Sequence, residues 1–252
     1  MKIVVLGSGT GIPSLKRNAP GYYLKTDHLH ALIDCGSASL RQLLTIGITC
    51  EQLDAIFITH THPDHIAELI PLLHALRLPG LKRERPLYIF GPPGFILFFN
   101  QFIEPVTGLP TTFSVHIDES KPHWNFSGLS IHTTQTLHSD RFQSVAYRFT
   151  ENQYSVVFGG DCDLDPGIIK LTHQCDLAIL DCSTLENGKV PGHLSAAQCG
   201  QIGQKSEVKQ ILLTHFYPIP EPEEQRLIEC QQHFSGSILL AEDFLELFLP
   251  SQ

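Results

Sequence analysis

Apolar residues along this chain fall into short runs with abrupt polar ends. Ile3–Leu6, Tyr22–Thr26, His30–Asp34, Ala55–Thr59, Leu87–Phe90 and Ser114–Ile117 read as strands. Leu129–Gln135, Val145–Phe149, Ser155–Phe158, Leu177–Leu180 and Gln210–Leu213 continue the series. Between them, helices are predicted at Ser39–Ile46, His65–Leu76, Gly94–Phe102, Ser195–Gln204 and Glu223–Gln232, the fourth capped by Ser195. Early strands sit in antiparallel-looking neighbours, and later ones alternate with helices. The expectation is one α/β (α+β) domain over residues 1–252: two mixed β-sheets packed face to face, with helices outside. No linker, low-complexity segment or fixed-period repeat interrupts it, and the two halves are compatible with a diverged duplication.

Composition adds limits. A hydrophobic fraction of 42% with 17% charged residues is that of an ordinary globular chain long enough to bury a core. No apolar run approaches the roughly 18 residues that crossing a membrane needs. The N-terminal run Ile3–Leu6 stops at Gly7, too soon for a secretory core, so the cytoplasm is the expected location. Seven cysteines occur without a C-x-x-C pair, which favours reduced thiols used as small core residues. Spacing assigns no role to Cys162 or Cys182. A net charge of −9 argues against a broad nucleic-acid surface. The local cluster Lys82-Arg83-Glu84-Arg85 reads as a solvated loop.

Fourteen histidines change the picture. The strand Ala55–Thr59 runs straight into His60-Thr61-His62-Pro63-Asp64-His65, a His-x-His-x-Asp-His pattern. Alternate positions of an extended turn let His60 and His62 face one metal. Pro63 stiffens the turn, and Asp64 and His65 open a helix from which they can reach a second metal. Three further strands end in a candidate ligand: His138 after Thr134–Leu137, Asp161 after Val156–Gly160, and His215 after Ile211–Thr214. Ligands at the ends of buried strands are where open α/β sheets place their sites. His28, His30, His74, His116, His123, His132, His173 and His233 lack partner spacing and are assigned to structure or surface.

With these residues in place, the sequence resembles the metallo-β-lactamase fold, and within it the ribonuclease Z branch. The likeness spans Leu6–Pro13 with Arg17-Asn18, Ile33–Gly36, the histidine cluster, Gly91–Gly94, Gly159–Asp161, Gly192–Ser195, Leu213–His215 and Ala241–Phe244. The resemblance implies a four-layer αββα sandwich with two zinc ions at one edge. Manganese or iron would also suit the ligand set. It would place His60, His62 and His138 on one metal, Asp64, His65 and His215 on the other, and Asp161 between them. Asp34 would stand behind the ligands and steady their turn. Two cations about 3.5–4 Å apart lower the pKa of a shared water and supply a metal-bound hydroxide for attack. Asp64 would orient that hydroxide, and His193 would protonate the leaving oxygen.

Departures from the branch matter as much. Typical ribonuclease Z enzymes carry a long arm between the third histidine and the bridging aspartate, whereas here that interval runs only from 138 to 161. The family's His-Glu-Ala-Thr box is replaced by Asp181-Cys182-Ser183-Thr184, and the box at His193-Leu194-Ser195-Ala196 lacks its threonine. These features resemble armless phosphodiesterases acting on a small or cyclic phosphodiester, which is the leading reading. Alternatives are a ribonuclease Z-type transfer RNA 3′-processing endonuclease and another hydrolase of the fold (lactonase, thioesterase or sulfatase). A non-catalytic metal-binding sensor comes from a different class. The family also implies a homodimer.

Overall fold

Residues 3 to 6 are all apolar, and the pleat of a strand sends neighbours to opposite faces. Both faces must therefore be covered. In the computed structural model, which describes residues 1–249, they are. From β1 (Lys2–Gly7), Ile3 and Val5 enter one buried cluster, while Val4 and Leu6 enter another.

The first sheet has seven strands, edge to edge β14 (Glu246–Phe248), β1, β2 (Gly21–Lys25), β3 (His30–Cys35), β4 (Ala55–Phe57), β5 (Leu87–Gly91) and β6 (Val115–Glu119). The second also has seven: β13 (Ser237–Leu240), β12 (Gln210–Thr214), β11 (Leu177–Asp181), β10 (Tyr154–Phe158), β9 (Val145–Glu151), β8 (Leu129–Gln135) and β7 (His123–Phe126). Each sheet is antiparallel on one side and parallel on the other. The change falls at β3 in the first and at β10 in the second.

Between the sheets, Phe57 packs edge-on against Tyr147 and Phe149 at centroid distances of 5.6 and 4.9 Å. Outside the first sheet lie α1 (Ser39–Thr45), α2 (Pro63–Ile66), α3 (Leu69–Ala75), α4 (Phe95–Phe98) and α5 (Glu104–Thr107). Leu69, Leu72, Leu73 and Phe95 meet Ile56, Ile58 and Ile89 there. Outside the second lie α6 (Pro166–Thr172), α7 (Ala196–Ser206) and α8 (Glu224–Gln231), where Ile168 and Ile202 meet Val157, Ala178 and Leu213. The result is the four-layer αββα sandwich.

Differences from the sequence expectation have physical causes. The helix expected over His65–Leu76 is two, because Glu68 N–H donates to the Cys35 carbonyl at 2.9 Å instead of continuing the ladder. The helix expected over Gly94–Phe102 continues as a π-turn, Phe99–Ile103, into α5, where Pro105 has no N–H to return to the preceding turn. Three unforeseen strands, β7, β13 and β14, are edge strands with half-exposed, partly polar faces. The unforeseen α6 carried a legible signal: Asp165 caps it, accepting from Gly167 and Ile168 N–H, and Pro166 starts it. Ser195 caps α7 in a capping box with Gln198. α7 runs on through Gly200, where α8 packs so closely that a Cβ would lie 2.5 Å from the Cys230 carbonyl oxygen. Arg83 is not in a solvated loop. It is buried under Phe113, and its guanidinium donates to the carbonyls of Glu51, Leu53 and Pro86. Among the described residues no helix is long and apolar enough to cross a membrane.

Candidate metal centre

The ladder of β4 stops at Phe57, and the next residues spend their backbone groups on the site. Ile58 N–H donates to the Phe90 carbonyl at 2.8 Å, and Thr59 N–H donates to Asp34 Oδ1 at 2.8 Å. The Thr59 carbonyl accepts from Val145 N–H of the other sheet at 2.9 Å. The turn that follows is thereby fixed to both sheets before its first histidine. His138, Asp161 and His215 come from beyond the ends of β8, β10 and β12.

These side chains form two groups sharing one carboxylate. In the first, His60 Nε2 and His138 Nε2 lie 3.1 and 2.9 Å from His62 Nδ1. Asp161 Oδ2 stands 3.6 Å from His60 Nε2 and 3.8 Å from His138 Nε2. In the second, His65 Nε2 and His215 Nε2 lie 3.8 and 3.6 Å from Asp64 Oδ2, and 3.4 and 3.3 Å from Asp161 Oδ1. Asp161 turns one oxygen to each group. All seven predicted ligand residues are thus brought together.

The outer ring nitrogens are held from behind. His138 Nδ1 donates to the Gly192 carbonyl at 2.8 Å, which leaves Nε2 of the neutral ring as a lone pair facing inward. His65 Nδ1 is held by Asp34 Oδ2 at 2.8 Å, and His60 Nδ1 lies 3.0 Å from Thr59 Oγ1. This orienting contact through the second nitrogen is characteristic of metal-binding histidines. His65 Nε2, Asp161 Oδ1 and His215 Nε2 are buried without a hydrogen-bond partner among the described residues. Buried polar atoms are ordinarily satisfied, so orphaned atoms that all face one point fit a cation there. The nitrogen and carboxylate donors suit a divalent metal.

Electrostatics separates the two groups. Burial above all holds His60, His62 and His138 below the usual imidazole pKa, His60 most. At His65 and His215 burial acts in the same direction, but the facing carboxylates, Asp161 foremost, override it and raise both. Asp161 and Asp64 are in turn lowered, against their burial, by these imidazoles. The carboxylates of the second group thus favour positive charge at this point, which a divalent cation would supply.

Beside the second group lies a pair that sequence reasoning half missed. His193, placed by sequence as a proton donor, has its Nδ1 2.8 Å from Asp181 Oδ2, and Asp181 raises its pKa against burial. Asp181 also accepts from Ser183 Oγ at 2.6 Å. It had been read only as a departure from a family box. Its signal was the one used for Asp161, a carboxylate closing a buried strand. Asp161, Asp181, His193 and His215 do cluster. Asp181 and His193 bond each other, however, so the cluster is a hydrogen-bonded one rather than a further cation site.

Two clefts flank the centre. One, of about 720 Å³, is lined by His138, Asp140, Phe142, Asp163 and Gly192. The other, of about 430 Å³, is lined by Thr10, Ile12, Asn18, Pro63 and Asp64. Phe142 was not foreseen; its ring meets His62 edge-on at 4.7 Å.

Comparison with known proteins bears on the family and the fold. The beta-lactamase superfamily domain profile matches residues 30–216. The probable metallo-hydrolase YhfI of Bacillus subtilis is 27% identical over 246 residues, covering 96% of this chain and 97% of its own. Its crystal structure superposes with a TM-score of 0.85 at 25% identity, covering 98% of both chains. Ribonuclease Z of Brevibacillus brevis is 26% identical, with 96% of this chain and 95% of the relative covered. A diphosphatase of the PhnP family shares the fold with a TM-score of 0.72 at 21% identity, covering 98% of this chain and 97% of that one.

Proposed function

The chain belongs to the beta-lactamase superfamily, and on that premise we propose that it is a hydrolase using two divalent metal ions, zinc first among them, to cleave a small or cyclic phosphodiester. The observation that carries this reading is Asp161, a buried carboxylate with one oxygen toward each of two ligand groups. His60, His62 and His138 would hold one ion, and Asp64, His65 and His215 the other. When bound, such a pair supplies an activated water near neutral pH and positive charge against a phosphoryl group.

The chain's own residues do the rest. Asp64 is the most exposed of the acidic ligands and borders the second cleft, where its free lone pairs can orient the attacking water. Asp34 and Gly192 keep His65 and His138 in one orientation. Asp181 lies against His193 Nδ1 and raises the imidazole pKa, the direction a general acid needs. Clefts on both sides leave room for the two substituents of a diester.

A small substrate is favoured because the interval between His138 and Asp161 is filled by the hairpin of β9 and β10, which leaves no arm to grip RNA. The Brevibacillus relative is named for ribonuclease Z, so precursor transfer RNA processing stands as the second reading. Buried free cysteines fit a reducing cytoplasm, and a homodimer is proposed from the family resemblance. The test is hydrolysis by zinc-loaded protein of a panel: bis(p-nitrophenyl) phosphate, 2′,3′- and 3′,5′-cyclic nucleotides, a ribose cyclic phosphate, a precursor transfer RNA and a lactone. Turnover of a small diester, lost on chelation and in His62→Ala, supports the reading. Turnover of the RNA or the lactone alone rejects it.

A further inference from the structure

We propose that Tyr217 completes the proton-delivering chain, so that its phenol, rather than the His193 imidazole, faces the leaving oxygen. The inference rests on the phosphodiesterase reading and on the acid role of His193. His193 has two ring nitrogens, and both are occupied. Nδ1 is 2.8 Å from Asp181, and Nε2 is 3.2 Å from the Tyr217 hydroxyl. The imidazole is itself buried, whereas Tyr217 is half-buried. No nitrogen of His193 can meet a substrate unless the phenol leaves.

The phenol is built in firmly. Tyr217 N–H donates to the Ser183 carbonyl at 3.2 Å. Arg226 of α8, almost wholly buried, donates to the carbonyls of Tyr217, Ser183 and Cys182 at 2.7, 2.8 and 3.1 Å. One guanidinium thus fixes the loop carrying the phenol to the segment that directly follows Asp181. Phe216 is held between Arg226 and Arg17, whose guanidinium carbons lie 5.0 and 4.6 Å from its ring centre. The backbone of Tyr217 is thus fixed beside Ser183 while its hydroxyl meets His193 Nε2, which gives the phenol a set position against the imidazole.

In the step inferred, water attacks phosphorus and the bond to the leaving oxygen breaks, its electron pair staying with that oxygen. The Tyr217 proton passes to the leaving oxygen as the Nε2 proton of His193 passes to the phenol oxygen. His193 keeps its Nδ1–H, which Asp181 accepts, and the proton released by the attacking water restores the imidazolium.

Tyr217→Phe keeps the ring and removes only the hydroxyl. Two substrates report on it: bis(p-nitrophenyl) phosphate, whose leaving group departs without a proton, and a 2′,3′-cyclic nucleotide, whose ribose alkoxide needs one. The cyclic-to-nitrophenyl rate ratio should fall on the order of 10²-fold in Tyr217→Phe and in His193→Ala, at the lower end of general-acid effects. The double variant should be little worse than either, as for groups acting in one chain. Without substrate, the ¹⁵N signal of His193 Nε2 should shift in Tyr217→Phe. If the ratio falls in His193→Ala but not in Tyr217→Phe, or the signal stays put, the proposal is overturned and the acid role of His193 survives. If neither variant changes the ratio, the acid role fails as well. Wild-type protein inactive on both diesters would reject the underlying reading and the proposal with it.

Discussion

Asp34 and Asp161 occupy matching places in the two halves. Each stands at the C-terminal end of the strand at which its sheet changes from antiparallel to parallel, Asp34 within β3 and Asp161 just beyond β10. Both are buried. Their surroundings differ in one respect. Asp34 is saturated, accepting from Thr59 N–H, Thr59 Oγ1 and His65 Nδ1 at 2.8, 2.9 and 2.8 Å. Asp161 Oδ1 has no hydrogen bond, although two imidazole nitrogens stand 3.3 and 3.4 Å away. Position in the fold therefore brings a carboxylate to the site, and the donors around it decide whether it can ligate. A filled carboxylate supports; an unfilled one is free to bind.

The largest test strikes the unfilled member. Asp161→Asn keeps the shape but removes the charge shared by both groups. Diester turnover should fall by at least 10²–10³-fold, roughly the scale lost with one charge-stabilising group, and zinc content by atomic emission should fall with it. Retained zinc with normal turnover would break the comparison. Asp34→Asn should act through His65. Asparagine can still accept from Thr59 N–H, but its amide NH₂ would face the His65 N–H that a carboxylate accepts. The expected result is zinc affinity weaker by about 10–100-fold, read by competition with a chromogenic chelator. A loss as large as that of Asp161→Asn would mean that Asp34 is a ligand too.

The same contrast explains what the sequence could and could not reveal. The first half places four site residues in one short segment, His60 to His65, so linear spacing alone makes the cluster legible. The second half spreads its contribution over the strand ends that carry His138, Asp161, Asp181, His215 and Tyr217, with His193 just ahead of α7. His138, Asp161 and His215 were found because each closes an apolar run. Asp181 shares that signal, yet its role depends on His193, whose approach is set by the packing of α7 rather than by spacing. Tyr217 carried no signal, since the bond that marks it spans 24 residues. The central strands were likewise legible from burial on both faces. Three of the four edge strands were not, having only one neighbour and partly polar faces.

A smaller test concerns how the two carboxylates are presented. Asp34 itself has φ of +55°, whereas Asp161 is reached through Gly160, at φ +59°. In the second half the left-handed turn has been given to a residue without a Cβ. A Cβ on Gly160 would lie 2.7 Å from Thr59 Cβ, the residue that fills Asp34. Gly160→Ala should therefore destabilise by about 1–2 kcal/mol, the cost of a left-handed L-residue, lowering the melting temperature by several degrees. Zinc affinity should fall less than in Asp34→Asn. An unchanged melting temperature would show that the turn tolerates a side chain and that the glycine is incidental.

The smallest effect belongs to a third carboxylate, Glu223, which is filled like Asp34 but stands at the rim. Arg17 Nε and Nη2 reach its two oxygens at 3.0 and 2.6 Å, and Lys16 Nζ lies 2.8 Å from one of them. Arg17 foremost, with Lys16, holds its pKa down to about 2, so Glu223 binds a proton less readily folded than unfolded. The stabilisation is therefore present above the ordinary glutamate pKa of about 4.3 and is lost as the pH falls from there toward 2. Glu223 is partly exposed and its field screened, so the contribution should be no more than about 1 kcal/mol. Glu223→Gln should then lower the melting temperature by about 2–4 °C at pH 7. That deficit should shrink on acidification below pH ~4 and recede at high salt. A deficit as large as that of Gly160→Ala, or one independent of pH, would mean that filling a carboxylate matters as much in solvent as in the core. The distinction between Asp34 and Asp161 would then need a cause other than their donors.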